Sequence, residues 1–315
     1  MLPLYKNQCK LDTKKGRKMF LVNCLGLMSF EVTDLKSAVK EAQDVIGLRL
    51  VHEGDGVAIL SSNERAAELV YRASGEGSAN GLATAIGLEA YDDAGVEEAG
   101  RRAAAMGWKI LSKTPSIPMI EKSVSFETDE GIIFEVHSPV KRNISARYET
   151  KGIKPRKLDH VGPKTTDTVK LSKQLHDVLG LEITDRSDGN ELCFMRSGNG
   201  QHHTCSLIKD KLPGLHHYAW AFWRFSDFLA LGDTLDIHKQ KMVFGPGRHG
   251  AGDNLYTYHI DKTGVMVECC TEMETIEQEL MFKTRVWKSS DPDLINLWGV
   301  MPPAEWLSHR SSFRK

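Results

Sequence analysis

An internal repeat governs what this chain of 315 residues can fold into. Shifted by 133 positions, the sequence lies over itself. Thr33-Asp34 falls on Thr166-Asp167, Val45, Gly47 and Leu48 on Val178, Gly180 and Leu181, Gly131 on Gly264, and Glu135 on Glu268. One ungapped offset over such a distance predicts an old duplication of a domain-sized unit, and so two similarly folded halves. The disagreements between the copies carry the functional signal. His160 falls on Leu27 and His217 on Thr84, whereas Glu268 keeps a glutamate opposite it. A structural position tolerates leucine in one copy, but a metal ligand does not.

Each half reads as two strand–helix–strand–strand–strand units, which predicts an α+β fold of four βαβββ modules in two duplicated domains. The third unit shows the pattern best. Leu158–Pro163 reads as a strand, and Thr168–Leu179 as a helix with Leu171, Leu175 and Val178 on one face and Gly180 as its cap. Leu181–Asp185, Glu191–Arg196 and His203–Lys209 read as short strands between Asp, Gly and Asn turns. In the fourth unit, Leu215–Phe222 is a strand, Phe225–Leu235 a helix, Lys241–Phe244 a strand and Gly245-Pro246-Gly247 a loop. Asn254–Ile260 then pairs with Val265–Cys270 through the turn at 261–264. The expected organisation is a loose Lys-rich arm over 1–18, with Met1 or Met19 as the start, then a degenerate domain over 19–150 and a metal-binding domain over 151–275. A helix and an irregular tail over 276–315 would pack on the second domain.

Composition narrows the class. The formal net charge of −1 gives no reason to expect nucleic acid or an anionic membrane as a partner. No apolar run approaches the ~20 residues needed to span a bilayer, and no secretory signal is evident. The six cysteines form no CxxC pair and no disulfide spacing, so reduced thiols and a cytoplasmic location are expected. Cys269 and Cys270 read as small residues of a buried strand.

The chemistry-bearing residues gather in the second half. His160 opens the third unit, His217 opens the fourth, and Glu268 stands on the last strand of the fourth. Two imidazoles and a carboxylate on one face leave the opposite coordination positions open, the facial triad expected for non-haem Fe(II), with Mn(II) as a substitute. A lone histidine on a strand is usually structural and a lone glutamate usually solvated. Here three occupy matching places in a repeat, and two are missing together from the other copy. His202, His203, His249 and Tyr258 crowd the same stretch, more imidazoles than packing requires, and His216 should face away from His217 across the strand.

Leu215-His216-His217-Tyr218-Ala219-Trp220, Gly245-Pro246-Gly247-Arg248-His249-Gly250 and the run from Tyr258 to Glu268 together resemble the type I extradiol ring-cleaving dioxygenases. The resemblance is to their catechol 2,3-dioxygenase and homoprotocatechuate 2,3-dioxygenase branches, within the vicinal oxygen chelate superfamily, and covers about Phe20 to Thr271. It implies meta cleavage of a catechol-type diol by O2, in aromatic compound degradation, by a homo-oligomer, commonly a tetramer. His160, His217 and Glu268 would hold Fe(II). His202 matches the family histidine followed by Asp or His and then Thr or Val, an acid/base in the oxygen chemistry. His203 takes that role if the match slips by one residue. His249 and Tyr258 would bond the substrate oxygens. Lys262 in the last turn, Gly162 after the first ligand and Met195 depart from the family pattern, and the last two argue against a carboxymethyl substrate. The competing readings are a glyoxalase-like lyase, an epoxide-opening transferase, or a non-catalytic drug-binding protein of the same fold. Met195, Trp220, Phe244, Tyr256 and the tail are candidates for the pocket wall.

Overall fold

The computed structural model describes residues 20–62, 65–75, 77–141, 153–279 and 281–315; the expected N-terminal arm and the junction at 150/151 lie outside them. The first half runs β1 (Val22–Val32), α1 (Leu35–Glu41) with a π turn at Ala42–Ile46, β2 (Arg49–Gly54), β3 (Val57–Ser61) and β4 (Leu69–Ala73). It continues as β5 (Leu82–Ala90), α2 (Asp93–Ala105), β6 (Lys109–Ser112), β7 (Ser123–Glu127) and β8 (Ile133–His137). The second half repeats this with β9 (Lys157–Thr165), α3 (Thr168–Leu179), β10 (Glu182–Ser187), β11 (Leu192–Arg196), β12 (Cys205–Lys209) and β13 (Gly214–Ala221). It closes with α4 (Asp227–Ile237), β14 (Met242–Arg248), β15 (Leu255–Ile260) and β16 (Met266–Thr271).

Each half forms one sheet, ordered β2-β3-β4-β1-β5-β8-β7-β6 in the first and β14-β15-β16-β13-β9-β12-β11-β10 in the second, where a ninth strand, β17 (Arg285–Trp287), adds at the β10 edge. The fold is therefore α+β, with the modules of each half joined through their first strands. The repeated Thr-Asp pair has a local cause: Asp34 and Asp167 accept from the amides of Ser37 and Lys170 and start equivalent helices. Gly47 and Gly180 end them in the left-handed region, at φ 81° and 76°, which a side chain would strain. The buried faces of both halves join in one apolar core, with the rings of Phe30 and Tyr218 5.4 Å apart.

Three sequence expectations need correction. The offset is not constant. Met28 pairs with Leu69 and Ile86, whereas its counterpart Val161 pairs with Cys205 and Tyr218. The copies thus differ in loop length before the fourth strand, and the change before the fifth overshoots the original offset by one residue. His217 faces Gly162, and Ser29, the counterpart of Gly162, faces Ala85, so the residue matching His217 is Ala85 and not Thr84. The expected helix after residue 275 is replaced by β17, which pairs in parallel with β10, a turn at Pro292–Leu294 and the short helix α5 (Ala304–Ser308). Phe313 and Ser311 then bridge to Ala83 and Leu215, so the tail touches both halves. Finally, Gly245-Pro246-Gly247 lies within β14, with a cis peptide before the proline.

The turn at 261–264 presses into the first half, where the Lys262 amide donates to Glu41 at 2.8 Å. Burial, and then the nearby Glu41, push the Asp261 carboxyl up to about 7. A carboxyl whose folded pKa exceeds its unfolded value of about 3.9 holds a proton the unfolded chain has already lost, so its contribution to stability falls as pH rises from about 4 through about 7. Asp261→Asn keeps the oxygen that accepts from Thr263 and Val265. It should flatten that slope and melt above the wild type at pH 8; a melting temperature at or below wild type there would refute the assignment.

Candidate metal centre

The centre grows from the junction of β9 and β13. Their antiparallel pairing sets His217 opposite Gly162, two residues along β9 from His160, and β16 lies in parallel against β13 with Glu268 opposite Ala219. All three functional side chains are buried, and their ligand atoms lie within 4.8 Å of one another. His160 Nε2 is 3.0 Å and His217 Nε2 3.3 Å from the same carboxylate oxygen, Oε2 of Glu268. The other oxygen of Glu268 accepts from the Asn254 amide at 3.1 Å.

The groups behind the histidines set their tautomers. Asp159 can only accept, so His160 donates to it through Nδ1, 2.9 Å away, and its neutral ring keeps a lone pair on Nε2. The Trp306 carbonyl likewise takes the Nε2 proton of His216 at 2.7 Å. His216 Nδ1 must then accept from His217 Nδ1, 2.7 Å away, which leaves the lone pair of His217 on Nε2. With both rings neutral, two lone pairs and a carboxylate oxygen converge on one point, an arrangement that either a metal ion there or a proton on His160 Nε2, shared with Glu268 at 3.0 Å, relieves. His217 Nε2 accordingly has no hydrogen-bond partner among the described residues. Burial disfavours a charged His160, but Glu268 and Asp159 outweigh it and raise the ring to about 9. Burial, followed by the neighbouring imidazoles, holds His217 well below the ordinary histidine value. One buried carboxylate, two imidazoles oriented by their outer N–H bonds and an open face fit a divalent first-row metal.

Gly162 is a condition of this geometry. A Cβ there would stand 2.3 Å from Cε1 of His217.

The cavity beside the triad is lined by His160, His217, Glu268, His203, His249 and Tyr258. The structure therefore brings together six of the seven residues singled out in the sequence and leaves out His202. Residues 201–204 connect β11 to β12, and successive side chains there diverge. His203 enters the cavity, its ring 4.4 Å from that of His160, while His202 turns outward to within 3.3 Å of Asp185. The one-residue slip is thus the geometry found. His249 donates through Nδ1 to the Ile295 carbonyl at 2.6 Å, so its Nε2 accepts from the Tyr258 hydroxyl at 3.0 Å. Burial, and then Glu268, hold the Tyr258 hydroxyl far above its ordinary pKa.

The rest of the wall is apolar: Leu192, Phe194, Ile208, Leu294, Ile295 and Trp306, with Ser206 the one small polar addition. Beyond it, sharing Leu192, Ile208 and Trp306, lies a larger chamber of about 430 Å³. Met195 and Trp220, candidates for the wall, are buried in the apolar core instead, and Phe244 and Tyr256 support Tyr258 from behind. Asp159, Asn254 and Trp306 escaped the sequence reading. Only Asp159, an acid adjoining a ligand histidine, left a signal there.

Among the described residues the first half has no such centre. Leu27 packs with Ile59, Val70, Ile117, Ile120 and Val140, and Glu135 accepts from the Ser116 amide at 3.1 Å.

Residues 26–136 match the family model described as the Glyoxalase/Bleomycin resistance protein/Dioxygenase superfamily. That match spans most of the first half, and the second half repeats its topology. Metapyrocatechase 2 of Cupriavidus necator is 26% identical over 166 residues, covering 51% of this chain and 50% of that protein. The chain thus spans about half the length of that curated relative. The fold is that of homoprotocatechuate 2,3-dioxygenase from Arthrobacter globiformis, with a TM-score of 0.86 at 21% identity and 94% of each chain covered. A Mn(II)-bound glyoxalase from Novosphingobium aromaticivorans superposes with a TM-score of 0.82 at 24% identity, covering 94% of this chain and 97% of that one. No helix among the described residues is long and apolar enough to cross a membrane.

His160→Ala and Glu268→Gln should each abolish metal binding, and Gly162→Ala should lower metal content several-fold by displacing His217. Glu135→Gln, in the first half, should leave it unchanged. Metal analysis of the folded variants checks all four, and a loss in Glu135→Gln would refute the division into one working and one plugged copy.

Proposed function

We propose that the chain is an extradiol dioxygenase that opens the ring of a catechol-type diol beside its two hydroxyls, incorporating O2 and releasing a ring-opened semialdehyde. The observation that carries this reading is the convergence of two imidazole lone pairs and one carboxylate in a cavity that also holds two more imidazoles and a phenol. The relation to metapyrocatechase 2 supports it.

His160, His217 and Glu268 would hold Fe(II), with Mn(II) as the substitute; when bound, the metal supplies Lewis acidity and a place for O2 beside the diol. The protein's own groups manage the protons. His249 Nε2, its other nitrogen tied to Ile295, accepts from a substrate hydroxyl or from Tyr258. The Tyr258 hydroxyl, which stays protonated, donates where negative charge collects on a substrate oxygen. His203 holds and returns a proton at the cavity wall, a role worth about 10²–10⁴ in rate. Phe194, Ile208, Ile295 and Trp306 give the cavity an apolar wall that would exclude water and suit an aromatic ring. No lysine or arginine lines this inner cavity among the described residues, so the preferred diols carry uncharged substituents.

Protein reconstituted with Fe(II) without air and mixed with catechol or 4-methylcatechol in oxygenated buffer should form the yellow semialdehyde with one O2 consumed per diol. 3,4-Dihydroxyphenylacetate should be a poorer substrate by kcat/KM. His203→Gln should retain metal and lose roughly 10²-fold or more in kcat. Bound metal without oxygen uptake on any diol would overturn the proposal.

A further inference from the structure

We propose that Asp185 and His202 are positioning residues that fix the tautomer of His203, so that neutral His203 carries its proton on Nδ1 and presents an unprotonated Nε2 to the cavity. Its consequence for turnover rests on the function proposed above; the tautomer itself does not.

The geometry starts at the tail. β17 pairs in parallel with β10, setting Arg285 beside Asp185 and Trp287 beside Ser187. Arg285 and Trp287, two apart on one strand, share a face. Arg285 Nε donates to Oδ1 of Asp185 at 2.8 Å and Trp287 Nε1 to Oδ2 at 2.7 Å. Arg285 also donates twice to Glu274. Asp185 is fully buried, and although burial works against its charge, the donors around it hold its carboxyl below the ordinary value. An ionised carboxylate with two fixed donors is a rigid, oriented acceptor.

His202 stands in front of it with no solvent exposure. Its Nε2 lies 3.3 Å from Asp185 Oδ1 and 4.0 Å from Glu274 Oε2, and neither approach is aligned well enough to count as a hydrogen bond. The polar atoms that face this nitrogen are thus carboxylate oxygens. A lone pair there would be repelled by both, whereas a proton is attracted, so Nε2 carries the proton. Nδ1 of neutral His202 is then an acceptor, and the ring atom 2.8 Å away is Nδ1 of His203. For that contact to be a hydrogen bond, His203 must donate through Nδ1, which leaves its Nε2 without a proton. Gln201 holds the segment in place, donating to the carbonyls of Asp159 and His203.

The same construction occurs once more in this cavity. His216 and His217 also touch through Nδ1 and Nδ1, and there the far nitrogen of the outer ring donates to the Trp306 carbonyl. In both pairs the outer ring is anchored and the inner ring is left with a free Nε2. The backing group differs: a neutral carbonyl stands behind His217 and a carboxylate behind His203.

Long-range 1H–15N correlation spectra of the protein loaded with zinc, a diamagnetic occupant, read the tautomers directly, and His203→Gln and His202→Gln assign the signals. The expected result is His203 protonated on Nδ1 and His202 on Nε2. A wild-type spectrum with His203 protonated on Nε2 would overturn the proposal, and it decides the matter even where a variant fails to fold. Asp185→Asn should shift His203 toward the Nε2-protonated form and lower kcat roughly tenfold or more, with KM and metal content little changed, and Asp185→Glu should recover part of the loss. An Asp185→Asn protein with unchanged His203 signals and unchanged kcat would equally overturn it. Because the spectra need no turnover, failure to cleave diols would refute the catalytic reading while leaving the tautomer assignment to its own test.

Discussion

β9 and β13 are the first strands of two successive modules, and their antiparallel pairing joins two four-stranded halves into one sheet. The centre depends on that seam. One ligand comes from each of the two strands and the third from β16, the next strand over, so the ligand spacing follows from strand spacing and register rather than from loops. The seam also explains the demand for glycine at 162: two strands this close leave room for one imidazole between them and not for a Cβ beside it.

The electrostatics follow from what stands behind each imidazole. Every histidine of the cavity has one nitrogen engaged away from it: His160 by Asp159, His217 by His216, His249 by the Ile295 carbonyl and His203 by His202. The donor or acceptor character of the inward nitrogen is therefore decided outside the cavity. Ile295, and Trp306 behind His216, belong to the tail, and two residues of β17 pin Asp185. The tail after residue 275 is thus part of the centre's construction, although it contributes no ligand.

The fold was legible because duplication and capping are local, strong signals. The Thr-Asp starts, the glycine stops and the short strands at β9 and β13 needed no tertiary information. The triad was legible because the two copies differ in chemistry at matched places. What failed was what depends on loop length and on partners distant in sequence. A strict offset put His217 opposite Thr84, because loop-length changes before the fifth strand are invisible to a fixed shift, and the sheet register moves the match to Ala85. The family pattern favoured His202 over its neighbour His203; the direction in which the connection between β11 and β12 enters the sheet instead turns His203 to the cavity. The helix expected after residue 275 gave way to β17, because the open edge of β10 offers backbone partners that a sequence pattern does not reveal.

The plugged copy clarifies why glutamate survived where the histidines did not. An imidazole at Leu27 would stand unpaired among Ile59, Val70, Ile117 and Ile120, and a buried polar group without a partner costs about 1–3 kcal/mol. Leucine removes that cost and fills the volume. Glu135 faces a different choice, since it is itself buried and already accepts from the Ser116 amide, so its carboxylate has a partner without a metal. Without a metal, the positions that hold histidine in the second half serve apolar packing in the first, whereas the carboxylate still serves as a backbone acceptor.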